Sequence, residues 1–314
     1  MTAAKETWRF LDTGVSPGDF NMQADGVLLD AVGAGRSPSV LRLYRWEPPA
    51  ISLGHNQDPR RELDLQRVRS AGIDVVPRLT GGRAVLHWEE LTYSVICREG
   101  CGRLGASPGA AYRKIGRALV AGLRAFGAPV DLHRQEAGQG GRSAPEAPKP
   151  PCFASTSRWE VTCRGRKLVG SAQRRIRGAI LQHGSILTGP RHLLLGGFLR
   201  AGENRGPIAD LPVAPSRAVR NSGPSPSAAT EMSSYPCTIG PQGSSTSTHL
   251  GEITGEPVDI PFLSACIVRG FGGCLEIGLR DSALAAGERE EIERRCGGLR
   301  EADEPAAVEA GAQR

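Results

Sequence analysis

Apolar and polar positions along this chain change period repeatedly, and each change marks an element. Trp8 to Leu11 alternates as a short first strand, and Ser16-Pro17 reads as a helix start, with Ser as N-cap and Pro in the first turn. Apolar residues then recur at Phe20, Ala24, Val27, Leu28 and Ala31, one face of a helix ending near Gly33. Val40 to Trp46 and Ala50 to Leu53 read as strands, Glu62 to Ala71 as a helix stopped by Gly72, and Asp74 to Arg78 as a valine-rich strand. Beyond the tight segment Leu79-Thr80-Gly81-Gly82-Arg83 lie strands over Ala84 to His87 and Leu91 to Cys97. Ser107-Pro108 opens a second helix, with Tyr112, Ile115, Leu119, Gly122, Leu123 and Phe126 on one face and Gly127 at its end.

The second half follows the same grammar with more interruptions. Residues 134 to 151 are rich in Gly, Pro, Ala and Gln and predict a mobile loop that delivers the chain to Cys152. Trp159 to Cys163, Lys167 to Arg174 and Ala179 to Leu187 predict three consecutive strands, and His192 to Leu199 a short helix. Pro, Ser, Thr and Gly dominate from about 203 to 256, which predicts a linker or poorly ordered segment. Pro261 to Phe271 and Glu288 to Arg300 predict two helices, with a strand over Leu275 to Leu279 between them. Strands interleaved with few helices argue for an α+β fold rather than a doubly wound sheet. The expected organisation is a catalytic domain over 1–200, a low-complexity segment over 201–256, a helical part over 257–300 packing on the catalytic domain, and a tail from 301 to 314.

Composition narrows the function classes. Hydrophobic residues make up 39% of the 314, and Lys plus Arg outnumber Asp plus Glu by 39 to 33, a formal charge of +6. That balance suits an acidic partner, such as a negatively charged carrier protein or a phosphate-bearing ligand. No recognisable nucleic-acid module accompanies it, so nucleic-acid binding is not expected. The eight cysteines are irregularly spaced, with no CxxC or Cys/His ligand pair, so no metal site is expected. No G-x-G-x-x-G follows a strand and no Walker-type loop is present, and no cofactor is expected. No apolar signal core or membrane-length run occurs, which places the chain in a reducing cytoplasm, away from membranes.

The stretch Pro151 to Leu187 carries the candidate chemistry. Cys152 sits in a loop beside a Pro-Pro pair, and Arg158, Arg164, Arg166, Lys167, Arg174 and Arg175 lie close in sequence. Nearby cations favour the thiolate, the reactive form of cysteine, although packing as a small apolar residue is the commoner fate of a lone cysteine. Gly81-Gly82 lets a backbone approach a ligand, but taken alone reads first as a hairpin turn.

Four motifs together resemble the biotin/lipoate ligase and lipoyl-transferase superfamily, most of all the cysteine-dependent octanoyl-carrier-protein:protein N-octanoyltransferases of Gram-positive bacteria. They are Glu6-Thr7-Trp8-Arg9-Phe10-Leu11-Asp12 with Phe20-Asn21-Met22; Pro77-Arg78-Leu79-Thr80-Gly81-Gly82-Arg83-Ala84-Val85-Leu86-His87 with Glu90-Leu91-Thr92-Tyr93-Ser94; Cys152-Phe153 with Ser157 and Glu160; and Gly165-Arg166-Lys167-Leu168-Val169-Gly170-Ser171-Ala172-Gln173 leading to Ile180-Leu181-Gln182-His183-Gly184-Ser185-Ile186. The resemblance covers about residues 6 to 190 and implies a ligase-like α+β catalytic domain of mixed, mostly antiparallel sheets flanked by helices. It implies Cys152 as the nucleophile that takes an octanoyl group from octanoyl-acyl carrier protein. The acceptor would be a lysine of a lipoyl carrier such as the glycine-cleavage H protein. Lys167 matches the lysine that helps deprotonate the thiol or polarises the carbonyl, with Arg164 and Arg166 expected to lower its proton affinity. Arg78, Thr80, Gly81, Gly82, Arg83, His87, Gly170, Ser171 and His183 match positions around the acyl pocket. The chain departs from the family at Gln23-Ala24-Asp25-Gly26-Val27, where an acidic pair is common, and matches it poorly over 203–256. The rival enzyme readings are an ATP-dependent lipoate ligase, using Lys167 and no cysteine, and an amidotransferase; a non-catalytic acyl- or carrier-binding protein is the rival from another class.

Overall fold

The computed structural model describes residues 5–105, 107–133, 159–200 and 246–303, with side chains through 298. Eight strands form one large sheet. They are β1 (Thr7–Ser16), β2 (Val40–Trp46), β6 (Glu90–Arg98), β7 (Val130–Leu132), β8 (Val161–Cys163), β9 (Arg166–Ile176), β10 (Ala179–Leu187) and β11 (Gly278–Asp281). Their spatial order is β11-β1-β2-β6-β10-β9-β8-β7. β1 runs parallel to β2 and β11, and every other pair in this sheet is antiparallel. A smaller sheet holds β4 (Asp74–Pro77), β3 (Ala50–Leu53) and β5 (Val85–His87), in that order. Parallel β1 and β2 need a crossover, and α1 (Gly18–Gly33) supplies it. The result is the α+β architecture that the strand pattern implies, with the mixed, mostly antiparallel sheet that the family resemblance implies.

Side-chain alternation along the strands gives the large sheet two unlike faces. On one face Leu41, Leu43, Tyr93, Val95 and Ile180 pack with Ala111, Ile115 and Leu119 of α4 (Pro108–Phe126) and with Leu263, Ile267 and Phe271 of α6 (Ile260–Leu275). On the other, Leu11, Val40, Ile96 and Leu181 pack beneath Leu28, Leu29 and Val32 of α1. α7 (Ala286–Asp303) lies outside α1, where Ile292 and Cys296 meet Ala24 and Val27. The α1 side is apolar only in part; its other half carries the polar network described below.

Local signals explain most boundaries. Ser107 Oγ accepts from the amide of Ala110, Pro108 opens α4, and Gly127 closes it at φ 107°. Asp259 caps α6 in the same way through the amide of Phe262. Three expectations shift. Ser16 does not cap α1: β1 runs through it, the helix starts at Gly18, and Asn21 Nδ2 donates to the Ser16 carbonyl. The helix expected over Glu62 to Ala71 is two short ones, α2 (Pro59–Glu62) and α3 (Leu65–Ser70), because Asp58 and Asp64 each cap a separate start. The last strand falls at Gly278–Asp281 because α6 runs on to Leu275.

The segment expected as linker through 256 joins the fold at its end. The amide of Lys167 donates to the Thr246 carbonyl at 2.9 Å, and the amide of Thr248 donates to the Lys167 carbonyl at 2.9 Å. α5 (Leu250–Thr254) follows, with Leu250 in the main core. A 3-10 helix over Pro190–Phe198 packs Leu195 and Phe198 against the small sheet. No helix among the described residues is long and apolar enough to cross a membrane.

Candidate active site

Two buried carboxylates organise the polar half of the sheet face under α1. Asp25, on α1, accepts from Arg42 NH1 at 2.8 Å and Ser94 Oγ at 2.9 Å through one oxygen. Its other oxygen takes Tyr44 OH at 3.2 Å and His183 Nδ1 at 3.0 Å. Burial alone would raise the Asp25 carboxyl, but the bonds and charges of His183 and Arg42 outweigh it and hold the group below its usual range. An ionised carboxylate only accepts, so His183 Nδ1 carries a proton toward it, and Nε2 on the other side of the ring lies 2.7 Å from Thr80 Oγ1. The chain Asp25–His183–Thr80 thus reaches from the helix through β10 to the glycine turn.

A second chain grips the other end of the same segment. Arg78 NH1 donates to Ser52 Oγ at 3.0 Å, Ser52 meets His87 Nε2 at 2.7 Å, and His87 Nδ1 lies 2.8 Å from Glu90 Oε1. Thr92 Oγ1 and Ser185 Oγ donate to that same Glu90 oxygen at 2.5 Å and 2.7 Å. Trp46 stacks on the His87 ring, with centroids 4.0 Å apart, and its Nε1 donates to Thr92 Oγ1 at 2.7 Å. Burial would raise Glu90 too, but the charge and hydrogen bond of His87, with Thr92 and Ser185, leave it lowered.

Between these anchors the turn over 79–83 has its carbonyls tied inward. Arg174 NH1 donates to the Leu79 carbonyl at 2.6 Å and the His55 amide to that of Thr80 at 3.1 Å. Arg78 NH2 reaches the carbonyls of Gly81 at 3.0 Å and Arg83 at 2.7 Å. Gly82 adopts φ 103°, and its carbonyl lies so close to Gly54 that a Cβ there would sit 2.1 Å away. Among the described residues the amides of Gly81 and Gly82 meet no acceptor, and Arg83 NH1 is buried without one. Such a turn presents donors outward.

The structure sorts the expected pocket residues. Thr80, His183, Arg78 and His87 belong to the two chains just described, with Arg78 committed to backbone and Ser52 rather than offered as an open cation. Gly170 pairs with Ser185 on the same face. Ser171 falls on the opposite face, where its Oγ lies 2.8 Å from Tyr93 OH and its carbonyl accepts from Tyr112 OH at 3.1 Å. Lys167 is buried, with Nζ 2.7 Å from Glu160 Oε1. Arg166, expected to repel Lys167, turns to Glu252 at 2.6 Å, so a carboxylate faces the ammonium. Cys152, with the loop over 134–151 expected to deliver the chain to it, lies outside the described residues. Two surface clefts, of about 580 and 570 Å³, lie beside α4 and α6, away from the Asp25 and Glu90 chains apart from Tyr44 at the rim of the second. No group of three or more metal-ligating side chains occurs among the described residues.

Sequence reasoning missed Asp25 and Arg42 as site residues, and treated Glu90 and Ser94 only as parts of a motif. The available signal for Asp25 was an acid among Ala24, Val27 and Leu28 on the apolar stripe of α1, where a charge needs a buried partner.

The model of the lipoyl protein ligase A/B catalytic domain matches residues 17–214. The chain belongs to that family. Among curated relatives of this lipoyl ligase family member, Octanoyltransferase LipM of Moorella thermoacetica is 48% identical over 182 residues, 58% of this chain and 65% of that protein. The protein of the same name from Kyrpidia tusciae is 45% identical over 183 residues, 58% of this chain and 66% of its own length. The match therefore spans just under two thirds of these relatives. Among solved structures, lipoate-protein ligase A bound with ATP superposes with a TM-score of 0.63 at 18% identity, covering 94% of this chain and 95% of that one. A putative lipoate protein ligase from T. acidophilum with bound lipoic acid gives 0.62 at 18%, covering 93% and 94%. At such identities the superpositions establish the family fold.

Proposed function

We propose that this protein is an octanoyltransferase of lipoate biosynthesis, working through a thioester on Cys152. The observation that carries the reading is the 48% identity to an octanoyltransferase over 182 residues, 58% of this chain. The geometry supports it. Cys152 thiolate attacks the thioester carbonyl of octanoyl-acyl carrier protein, forming one S–C bond; the carrier's S–C bond then breaks and its thiolate is reprotonated. Developing charge on the carbonyl oxygen suits the outward amides of Gly81 and Gly82. Lys167, held against Glu160, polarises the acyl carbonyl or supplies the proton. In the second half-reaction the amine of a lysine on a lipoyl carrier protein, such as the glycine-cleavage H protein, displaces the Cys152 thiolate and leaves an amide. A ping-pong scheme follows. Free thiols at Cys97, Cys101, Cys163, Cys266, Cys274 and Cys296 suit a reducing cytoplasm.

The test is incubation with octanoyl-acyl carrier protein and apo H protein without ATP, read by intact mass. The expected result is an octanoyl adduct on the wild type and none on Cys152→Ala, with Lys167→Ala slower by about a hundredfold or more. Product that forms only with ATP and free octanoate or lipoate would replace this reading with the ligase one.

A further inference from the structure

α4 carries Arg113, Lys114, Arg117 and Arg124 and not one Asp or Glu. Arg113, Arg117, Val120, Ala121 and Arg124 stand at i, i+4, i+7, i+8 and i+11, a single stripe along the helix. The stripe lies away from Ala111, Ile115 and Leu119, which hold α4 against the large sheet. All three of its arginines are exposed. Arg124 meets Asp131, but among the described residues neither Arg113 nor Arg117 forms an ion pair. On α7, by contrast, Glu291 pairs with both Arg294 and Arg295. Like charges at i and i+4 destabilise a helix, so Arg113 and Arg117 together suit a partner that brings the opposite charge.

Beside these arginines lies the open cleft of about 580 Å³, with Val120, Ala121, Leu132 and Trp159 in its wall. The Arg113 guanidinium sits 5.7 Å above the Trp159 ring. A cationic rim around an apolar floor complements an acidic amphipathic helix, which offers an apolar side chain among carboxylates. The cleft also adjoins the candidate chemistry: Trp159 is followed in the chain by Glu160, whose Oε1 lies 2.7 Å from Lys167 Nζ.

Charge decides which carrier protein this surface takes. The acceptor presents a lysine ammonium, which a rim of arginines repels. The donor presents a neutral thioester on an arm joined through a phosphodiester, which adds negative charge. We propose that the α4 cleft docks the donor: an acidic helix of octanoyl-acyl carrier protein sets an apolar residue against Val120 and Trp159, and its carboxylates meet Arg113 and Arg117. This rests on the transferase reading and assigns the surface that serves its first half.

The test uses the full chain and two matched charge reversals. One variant combines Arg113→Glu with Arg117→Glu; the control combines Arg60→Glu with Arg69→Glu, exposed arginines of α2 and α3. Octanoyl transfer to an apo lipoyl-domain protein is followed by intact mass. The donor is either octanoyl-acyl carrier protein or octanoyl-N-acetylcysteamine, a thioester with neither protein nor phosphate. In a ping-pong scheme kcat/KM for the donor and for the acceptor report separate half-reactions. The expected result is a loss of at least about tenfold in kcat/KM for the protein donor in the cleft variant. Its kcat/KM for the small thioester and for the acceptor, and every value of the control, should move less than about twofold. The wild-type value for the protein donor should also fall with added salt more steeply than that of the cleft variant. A loss shared with the small thioester, a loss for the acceptor, an equal loss in the control, or no loss at all overturns the docking site. A wild type that transfers from neither donor overturns the transferase reading itself, an outcome distinct from an active wild type whose cleft variant shows no selective loss.

Discussion

Single residues here owe their chemistry to one or two neighbours. Cys101 is the clearest case outside the site. It sits half-buried beyond the end of β6, and its thiol is lowered to about 6, first by a hydrogen bond from Cys97 and further by the amides of Arg103 and Leu104, against burial. The same contact, with burial added, drives Cys97 upward, so the pair loses its first proton at Cys101. Alkylation of Cys101 by iodoacetamide, followed by peptide mapping, should rise with pH about a midpoint near 6. In Cys97→Ala the donor is gone and the midpoint should move up. A Cys101 profile unchanged by that substitution would show that the contact is not what holds the thiolate.

Residues of the site show the limit of local reading. Thr80, Gly81, Gly82, His87, Lys167 and His183 stand out in sequence because they lie in motifs. Asp25 and Arg42 stand 17 positions apart on different elements, and only packing α1 over β2 brings them within 2.8 Å. The same holds for the 103 positions between Thr80 and His183.

Elements meet where glycine lets them. α4 and α6 cross with their backbones in contact at Gly122 and Gly270. A Cβ on Gly122 would lie 2.8 Å from Ile267 Cα, and one on Gly270 would lie 2.5 Å from both the Ala118 carbonyl and the Gly122 nitrogen. Glycine to alanine inside a helix ordinarily gains up to about 1 kcal/mol. Here overpacking, about 1–3 kcal/mol, wins because the opposing atoms are backbone. Urea unfolding should find both Gly122→Ala and Gly270→Ala destabilised, Gly270→Ala the more. A stabilised Gly270→Ala would mean the helices do not cross there. Pattern alone predicted both helices and put Gly122 on the apolar face of α4; that glycine was needed for a close crossing was invisible until Gly270 lay opposite.

Across the whole molecule, the first strand is tied to the last strand and last helix of the described residues. β11 pairs with β1, and Arg9 on β1 makes a two-pronged contact with Glu288 on α7, at 2.7 and 2.9 Å. Burial raises Glu288, but the bonds and charge of Arg9 and the Ala285 amide outweigh it, so the group is lowered from 4.5. A depressed carboxylate contributes stability that is complete above the unfolded value and is lost as pH falls through the folded one. Glu288→Gln should therefore cost about 1–2 kcal/mol at pH 7, a magnitude suited to a partly buried bidentate pair. The deficit should shrink as pH drops below 4.5. Thermal melts of both proteins from pH 7 to pH 3.5 check it, and a deficit that persists undiminished at the acid end would contradict the assignment.

Sequence by itself determined most of the elements and their order, because periodicity, caps and glycine stops act over a few residues; it missed the short β7 and α5. Val40–Trp46, Ala50–Leu53 and Ala179–Leu187 fall where alternation put them, and the motif Thr80-Gly81-Gly82-Arg83 marked the turn. Tertiary structure alone decided which polar side chains share a face. Strand register sends Ser171 to the side of Tyr93 while His183, paired with Ser94, turns to Asp25. It also decided that Lys167 faces Glu160, that Thr246 to Thr248 close onto its strand, and that one oxygen of Glu90 is left open. Those facts depend on charge and hydrogen-bond partners brought from distant parts of the chain, and no local spacing encodes them.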